Sequence, residues 1–323
     1  MKILFGTYTR KESEGIYTIH FDEEKLECHD YNLSHKIENP TYLDIYHDYV
    51  FSVSSKDDRG GVALFKKNAL ISQVLNQNVP PCYVSYDSYH QLLYSANYHQ
   101  GMINTYRLNH GNLEAHETIV FDAGSKAHYV HYLKAFNVVF VCDLGLDRAY
   151  VFRVDEEQRL HLRQTINFPQ GSGPRHAICH PHQPYCYVVS ELSYEVFVLH
   201  FDDHEFKRVN QLPANPSLNT KDQHGAAIKI SSDGKFLYTS NRRDNSISVF
   251  KINEYKDLEL IQNASTHGDH PRDFEISPDQ KYIVVANLVS DSCTLLARDA
   301  YSGKLTLVQK NVGVHEPVCV RFK

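Results

Sequence analysis

Tryptophan is missing from this chain of 323 residues, and methionine occurs only twice. Long apolar runs are missing too: none approaches the ~20 residues that a helix needs to cross a bilayer. The opening residues, MKILFGTYTRKESEG, lack the apolar stretch and small-residue cleavage site of a secretion signal. These absences point to a cytoplasmic protein with no membrane partner. No basic excess exists either. The formal net charge is −6 and the lysines and arginines are scattered, which excludes the basic face that a nucleic-acid partner or an anionic membrane requires. The seven cysteines (Cys28, Cys82, Cys142, Cys179, Cys186, Cys293 and Cys319) are odd in number and never spaced C-x-x-C. They read as reduced, mostly buried thiols. Cys179 and Cys186 could face each other across a hairpin, and the same reading expects them to stay reduced. No long segment has a clean helical period. No nucleophile elbow, phosphate loop or dinucleotide fingerprint occurs.

What the chain does have is strand. Runs such as YVFSVSS, HQLLYSANY, NVVFVCDLG, PYCYVVSEL, KFLYTSNRR and KYIVVANLV are rich in Val, Tyr and Phe, with Gly, Asn, Asp or Pro nearby. Aligned, they expose a repeat: an anchor, a short strand, a turn, a second strand with a polar end, and a third strand. The anchors are Pro40, Pro81, Ala127, Pro174, Gly225, Pro271 and Pro317, at intervals of 41, 46, 47, 51, 46 and 46 residues. Counting from Pro317 through the last residue and on from the first residue to Pro40 gives another 46. One unit is therefore split, with HEPVCVRFK supplying its first strand and the opening residues the next ones. A period of forty to fifty residues with four short strands per unit is the signature of a β-propeller. The expectation is an all-β, seven-bladed propeller spanning residues 1–323 as one domain, its last blade closed by strands from both termini. Without tryptophan the repeats are not of the tryptophan–aspartate type. The competing architecture, a large β-sandwich, does not account for seven even units.

Within a blade the first strand runs from the anchor along the central channel and the second returns antiparallel. The residue after the anchor and the residue ending the second strand then meet at one mouth. The positions after the anchors are Thr41, Cys82, His128, Arg175, Ala226, Arg272 and Val318. The second strands end at Asn97, Asp143, Ser190–Glu191, Asn241–Arg242 and Asn287. One mouth is thus expected to gather three arginines, a histidine, two carboxylates and several amides. Charges inside a ring are costly unless paired or used. Converging guanidinium groups suit a phosphate or carboxylate, which they grip bidentately. His128 and Glu191 are candidate acid–base groups, His128 with a pKa expected near neutrality. His176, beside Arg175, reads as a packed residue flanking the site.

The segments AHYVHY…VCDLGLDRAYVFRV (127–154), GPRHAICHP…VVSELS (173–193), SSDGKFLYTSNRRDNSISVF (231–250) and HPRDFEISPDQKYIVVANLVSDS (270–292) make the chain resemble the seven-bladed propeller lactonases. That family includes the bacterial propeller-type 6-phosphogluconolactonases and the fungal carboxy-cis,cis-muconate lactonising enzyme. The resemblance covers essentially the whole chain. It implies a lactonase acting on a small anionic sugar lactone, most plausibly 6-phosphogluconolactone. It implies catalytic roles for His128, Arg175, Glu191 and Arg242, and substrate contacts for Arg272 and Asn287. Asp143, His176, His131, Asn97 and Asn241 complete the candidate substrate-binding set. The chain departs from the family pattern at Lys126–Ala127, where "PH" often precedes the histidine, so His131 is a second candidate for the role of His128. It departs again at Ser190, which stands in the place of Asn. A lactonising cycloisomerase or a propeller that only binds ligands would carry much the same residues. No cofactor is expected, and no catalytic metal, because an arginine-rich mouth repels a cation. The H-x-H spacing of His180 and His182 reads as a solvated turn at the far end. A monomer or weak homodimer is expected.

Overall fold

The computed structural model describes residues 1–215 and 224–323. Its strands form seven separate four-stranded antiparallel sheets. Three consecutive strands near the start, β1 (Lys2–Thr7), β2 (Gly15–Asp22) and β3 (Glu27–Lys36), share a sheet with the last strand, β28 (Pro317–Phe322). This is the split blade, here numbered seven. Its register runs from Ile3 opposite Phe322 to Thr7 opposite Pro317. The amide of Tyr8 donates to the Glu316 carbonyl and that of Lys323 to the Lys2 carbonyl, which extends the closure at both ends.

Blades one to six follow in chain order. Their channel-side strands are β4 (Leu43–Tyr46), β8 (Tyr83–Asp87), β12 (Ala127–Leu133), β16 (Pro174–Cys179), β20 (Gly225–Ile230) and β24 (Pro271–Ile276). Their neighbours include β9 (Leu92–Asn97), β13 (Val138–Asp143), β17 (Tyr185–Ser190), β21 (Phe236–Asn241) and β25 (Tyr282–Asn287). These second strands are almost wholly buried, because each blade packs face to face against its neighbours. That is why they read as unbroken apolar runs rather than alternating ones. The outermost strands, such as β15 (Leu160–Asn167), are mostly exposed.

The anchors do what their spacing implies. Ala127 lies opposite Asp143, Pro174 opposite Ser190, Gly225 opposite Asn241 and Pro271 opposite Asn287. A kink precedes several anchors: Asn39, Gly173, His270 and Glu316 all have a positive φ, between 47° and 63°, which swings the chain from a blade's edge into the next channel strand. Gly225 is glycine for another reason. A Cβ there would lie 2.2 Å from the Ser190 carbonyl oxygen, where blade five passes the end of β17.

The far-end hairpin of blade four overturns two sequence expectations. Cys179 and Cys186 are joined in a disulfide; they face each other directly in the β16–β17 register, and the tight hairpin leaves their thiols nowhere else to go. His180 is buried rather than solvated. Its Nε2 lies 3.1 Å from the Gly234 carbonyl oxygen, in a recess that only a glycine leaves open. His182 alone stays exposed.

Candidate active site

The anchor-end mouth holds a cavity of about 180 Å³. Of the seven positions after the anchors, Thr41, Cys82, His128, Arg175, Arg272 and Val318 line it, while Ala226 does not. The wall carries Arg10, Arg175 and Arg272 and no carboxylate among the described residues. Burial pushes the Cys82 thiol up to about 11, which disfavours the thiolate at neutral pH.

Arg175 is buried and held on three sides. Its Nε donates to Glu191 Oε2 at 3.0 Å, and one terminal nitrogen donates to His176 Nε2 at 3.2 Å and to the Ala226 carbonyl. A guanidinium has five donors and no acceptor, so His176 must accept and be neutral. Burial, with Arg175 and His128 beside it, holds the His176 pKa well below the usual histidine value. The second terminal nitrogen of Arg175 has no partner among the described residues, leaving its two N–H groups for a ligand.

Glu191 is shared. Its Oε2 also accepts from Arg242 at 2.9 Å, and His224 Nδ1 stands 4.0 Å from Oε1. Burial would raise its pKa, but Arg175 and Arg242 outweigh burial and hold the carboxyl below the usual range. Such a carboxylate serves poorly as a proton donor; it positions the two arginines. Arg242 donates as well to the His224 and Gly225 carbonyls. Burial and Arg175 lower its pKa to about 10, so it remains charged at neutral pH.

His128 lies at the cavity wall with its Nδ1 buried and unpartnered. Its ring packs 5.2 Å from that of His176 and 6.0 Å from that of Tyr98. The expectation of a pKa near neutrality fails. Burial, then Arg175, Arg272 and Arg242, hold it well below the ordinary histidine value.

His131 is not in this mouth. A β-bulge between Ala127 and Tyr129 turns β12, and His131 lines a second cavity of about 420 Å³ at the other end of the channel. Tyr42 and His176 line both cavities, and rings of Tyr83 and Tyr129 pack against His176 between them. The strand-end polar residues stand off the cavity wall. Asn97 Oδ1 accepts from the amides of His99 and Gln100, and Asn241 Oδ1 from those of Arg243 and Asp244. Asp143 Oδ1 accepts from Lys126, Gly145 and Leu146. Asn287 donates to Thr294. All four are buried and none lines the cavity; a polar residue ending a strand is first needed by the turn that follows.

Sequence reasoning missed Arg10, Tyr8 and His99, all on the wall. The signal for Arg10 was present. The rule that second strands end at the mouth, applied to the split blade, leads through Thr7 to Tyr8 and Arg10. Among the described residues no three His, Cys, Asp or Glu side chains converge as metal ligands.

Comparison with known proteins bears on the fold and the family. Residues 2–322 match the family model "Lactonase, 7-bladed beta-propeller". A 6-phosphogluconolactonase of Bacillus subtilis is 34% identical over 338 residues, covering 98% of this chain and 97% of the relative. The crystal structure of a Lactobacillus plantarum protein superimposes with a TM-score of 0.96 at 37% identity, covering 100% of this chain and 99% of that one. The structure of a periplasmic gluconolactonase of Pseudomonas aeruginosa gives 0.90 at 27% identity, with coverage of 99% and 98%.

Proposed function

Because the chain belongs to the seven-bladed β-propeller lactonase family, we propose that it hydrolyses a sugar-acid lactone bearing a remote anion, 6-phosphogluconolactone being the best fit, to the open hydroxy acid. The carrying observation is the pairing, at one cavity wall, of a buried imidazole with an unpartnered nitrogen, His128, and a rigid guanidinium with unspent donors, Arg175. In this reading water attacks the lactone carbonyl and His128 accepts the water proton. Arg175 donates to the oxygen that gains negative charge. The ring C–O bond then breaks, and the protonated imidazole returns its proton to the departing ring oxygen. Glu191 and Arg242 touch neither water nor lactone; they hold Arg175 in place. General-base catalysis contributes roughly 10²–10⁴-fold, and one oxyanion donor about 3 kcal/mol.

The low basicity of His128 gives the substrate anion a second role. Its negative charge offsets the arginines that depress the imidazole, so binding raises the base toward useful strength. Three arginines at the wall also repel a cation, so no step in this reading uses a metal.

The test is hydrolysis of 6-phosphogluconolactone and of unphosphorylated gluconolactone by the purified protein and by His128→Ala. The expected result is turnover by the native protein and a loss of at least ~100-fold in kcat in the variant, with KM changed only a few-fold. A folded native protein inert on both lactones would sink the proposal and favour a lactonising or binding-only propeller.

A further inference from the structure

We infer that Arg10 and Arg272, both close to the Tyr8 ring, form a subsite for the substrate's remote phosphate monoester, separate from the Arg175 catalytic clamp. The inference rests on the lactonase reading for the substrate's identity, but its physical basis is independent of catalysis.

Four observations carry it. Both guanidinium groups line the mouth cavity. Both associate with one aromatic ring, Arg10 at 3.9 Å and Arg272 at 5.9 Å from the Tyr8 centroid. Neither side chain has a hydrogen bond or ion pair with any described residue, whereas Arg175 and Arg242 are each bound to Glu191. No carboxylate among the described residues lines the wall. Two like charges gathered near one ring, with no counter-ion among the described residues, repel each other, and a bound anion relieves that repulsion.

The loop bearing Arg10 is also positioned. Glu316, itself buried, accepts through Oε2 from the amides of Arg10 at 3.0 Å and Lys11 at 2.8 Å. Its own carbonyl accepts from Tyr8. Glu316 directly precedes the anchor of the split blade, so closing the ring also sets Arg10 at the mouth. A dianion suits this pair better than a carboxylate, because two forks present more donors than a single carboxylate can satisfy.

The experiment compares native protein with Arg10→Gln and with Tyr8→Leu in two measurements. The first is calorimetric titration with 6-phosphogluconate, inorganic phosphate and unphosphorylated gluconate. The second is kcat/KM on the phosphorylated and unphosphorylated lactones. The native protein is expected to bind 6-phosphogluconate and phosphate more tightly than gluconate, in a salt-sensitive way. Arg10→Gln should weaken both phosphorylated and inorganic ligands about tenfold or more, and lower the ratio of kcat/KM for phosphorylated over unphosphorylated lactone by a similar factor. Binding of 6-phosphogluconate without binding of free phosphate, but with the same dependence on Arg10, also supports the subsite and assigns it to the ester. Equal binding of gluconate and 6-phosphogluconate, or no effect of Arg10→Gln on 6-phosphogluconate binding, overturns it. If neither lactone is turned over while phosphate binding still depends on Arg10, the subsite stands and only the catalytic reading fails.

Discussion

His128 and Glu191 invert the roles that their residue types suggest. A histidine is the usual neutral-pH base, yet three arginines and burial depress this one. A glutamate in a cleft is a usual acid, yet two guanidinium groups keep this one ionised. The first inversion predicts a pH profile. The acid limb of kcat/KM should lie below the ordinary imidazole pKa of ~6.5. Removing a nearby positive charge favours the protonated ring, so Arg272→Gln should shift the limb to higher pH. An unmoved or lowered limb, measured from pH 4 to 8, would mean that His128 is not the titrating base. The second inversion predicts a stability cost. Glu191→Ala leaves Arg175 and Arg242 without their shared counter-charge, and uncompensated buried charge costs about 3–5 kcal/mol. Urea denaturation should show a loss of that order; a loss under 1 kcal/mol would show that the arginines find other partners.

At the scale of the element, the blade hairpin does two jobs. Its anchor end presents a side chain to the mouth, and its far end closes a tight turn. In blade four the far end adds the Cys179–Cys186 disulfide, while Cys28, Cys82, Cys142, Cys293 and Cys319 stay free. Thiol titration of the denatured chain should therefore find five reactive groups without reductant and seven after reduction. Seven in both would return the pair to the reduced state that composition suggested. The strand-end amides show the same division. Asn97, Asp143 and Asn241 sit at the mouth end of their blades, but each gives its Oδ1 to the amides of the turn that follows, and Asp143 keeps only a buried, unpartnered Oδ2. Position along an element places a residue at the correct end; it does not say whether its polar atoms are still available.

The whole molecule is a closed ring, and its closure is non-local. Strand β28 pairs with β1 across nearly the full length of the chain, and the same join seats the Arg10 loop on Glu316. Deletion of residues 315–323 should lower the melting temperature of the entire protein in one transition and abolish phosphate binding. A truncated protein melting like the full chain would contradict closure by these strands. Acid should loosen the ring as well. His270, whose pKa burial and Arg242 lower to about 4, binds no proton in the folded state where an unfolded histidine would. Between about 4 and ~6.5 the unfolded chain therefore holds more protons, and stability rises with pH. Buried His128 and His176 act in the same direction. The lowered pKa of Glu191 adds stability that is present at neutral pH and lost as pH falls through that lowered value. Calorimetric melting temperatures should fall continuously as pH drops from 7 to 4; a constant value across that range would contradict these shifts.

The periodic part of this protein was legible without a structure. Anchor spacing, the wrap-around interval and the hairpin rule together yielded seven blades, the split closure and seven positions after the anchors, six of which line the cavity. These follow from local geometry: a strand's length and direction decide where its ends lie, and that information is written residue by residue. What only the tertiary structure decided is which of the gathered groups use up one another. Arg175 comes from blade four and Arg242 from blade five, and the one carboxylate of Glu191 pairs with both. Arg10 and Arg272, from the opening loop and blade six, share a ring and have no counter-ion among the described residues. Arg175 and Glu191 share a hairpin, but the pairings that cross blades depend on distances between segments far apart in the chain, and no period along one strand encodes them. The pKa of His128 has the same origin, since burial and the field of three arginines on three different blades are properties of the assembled ring.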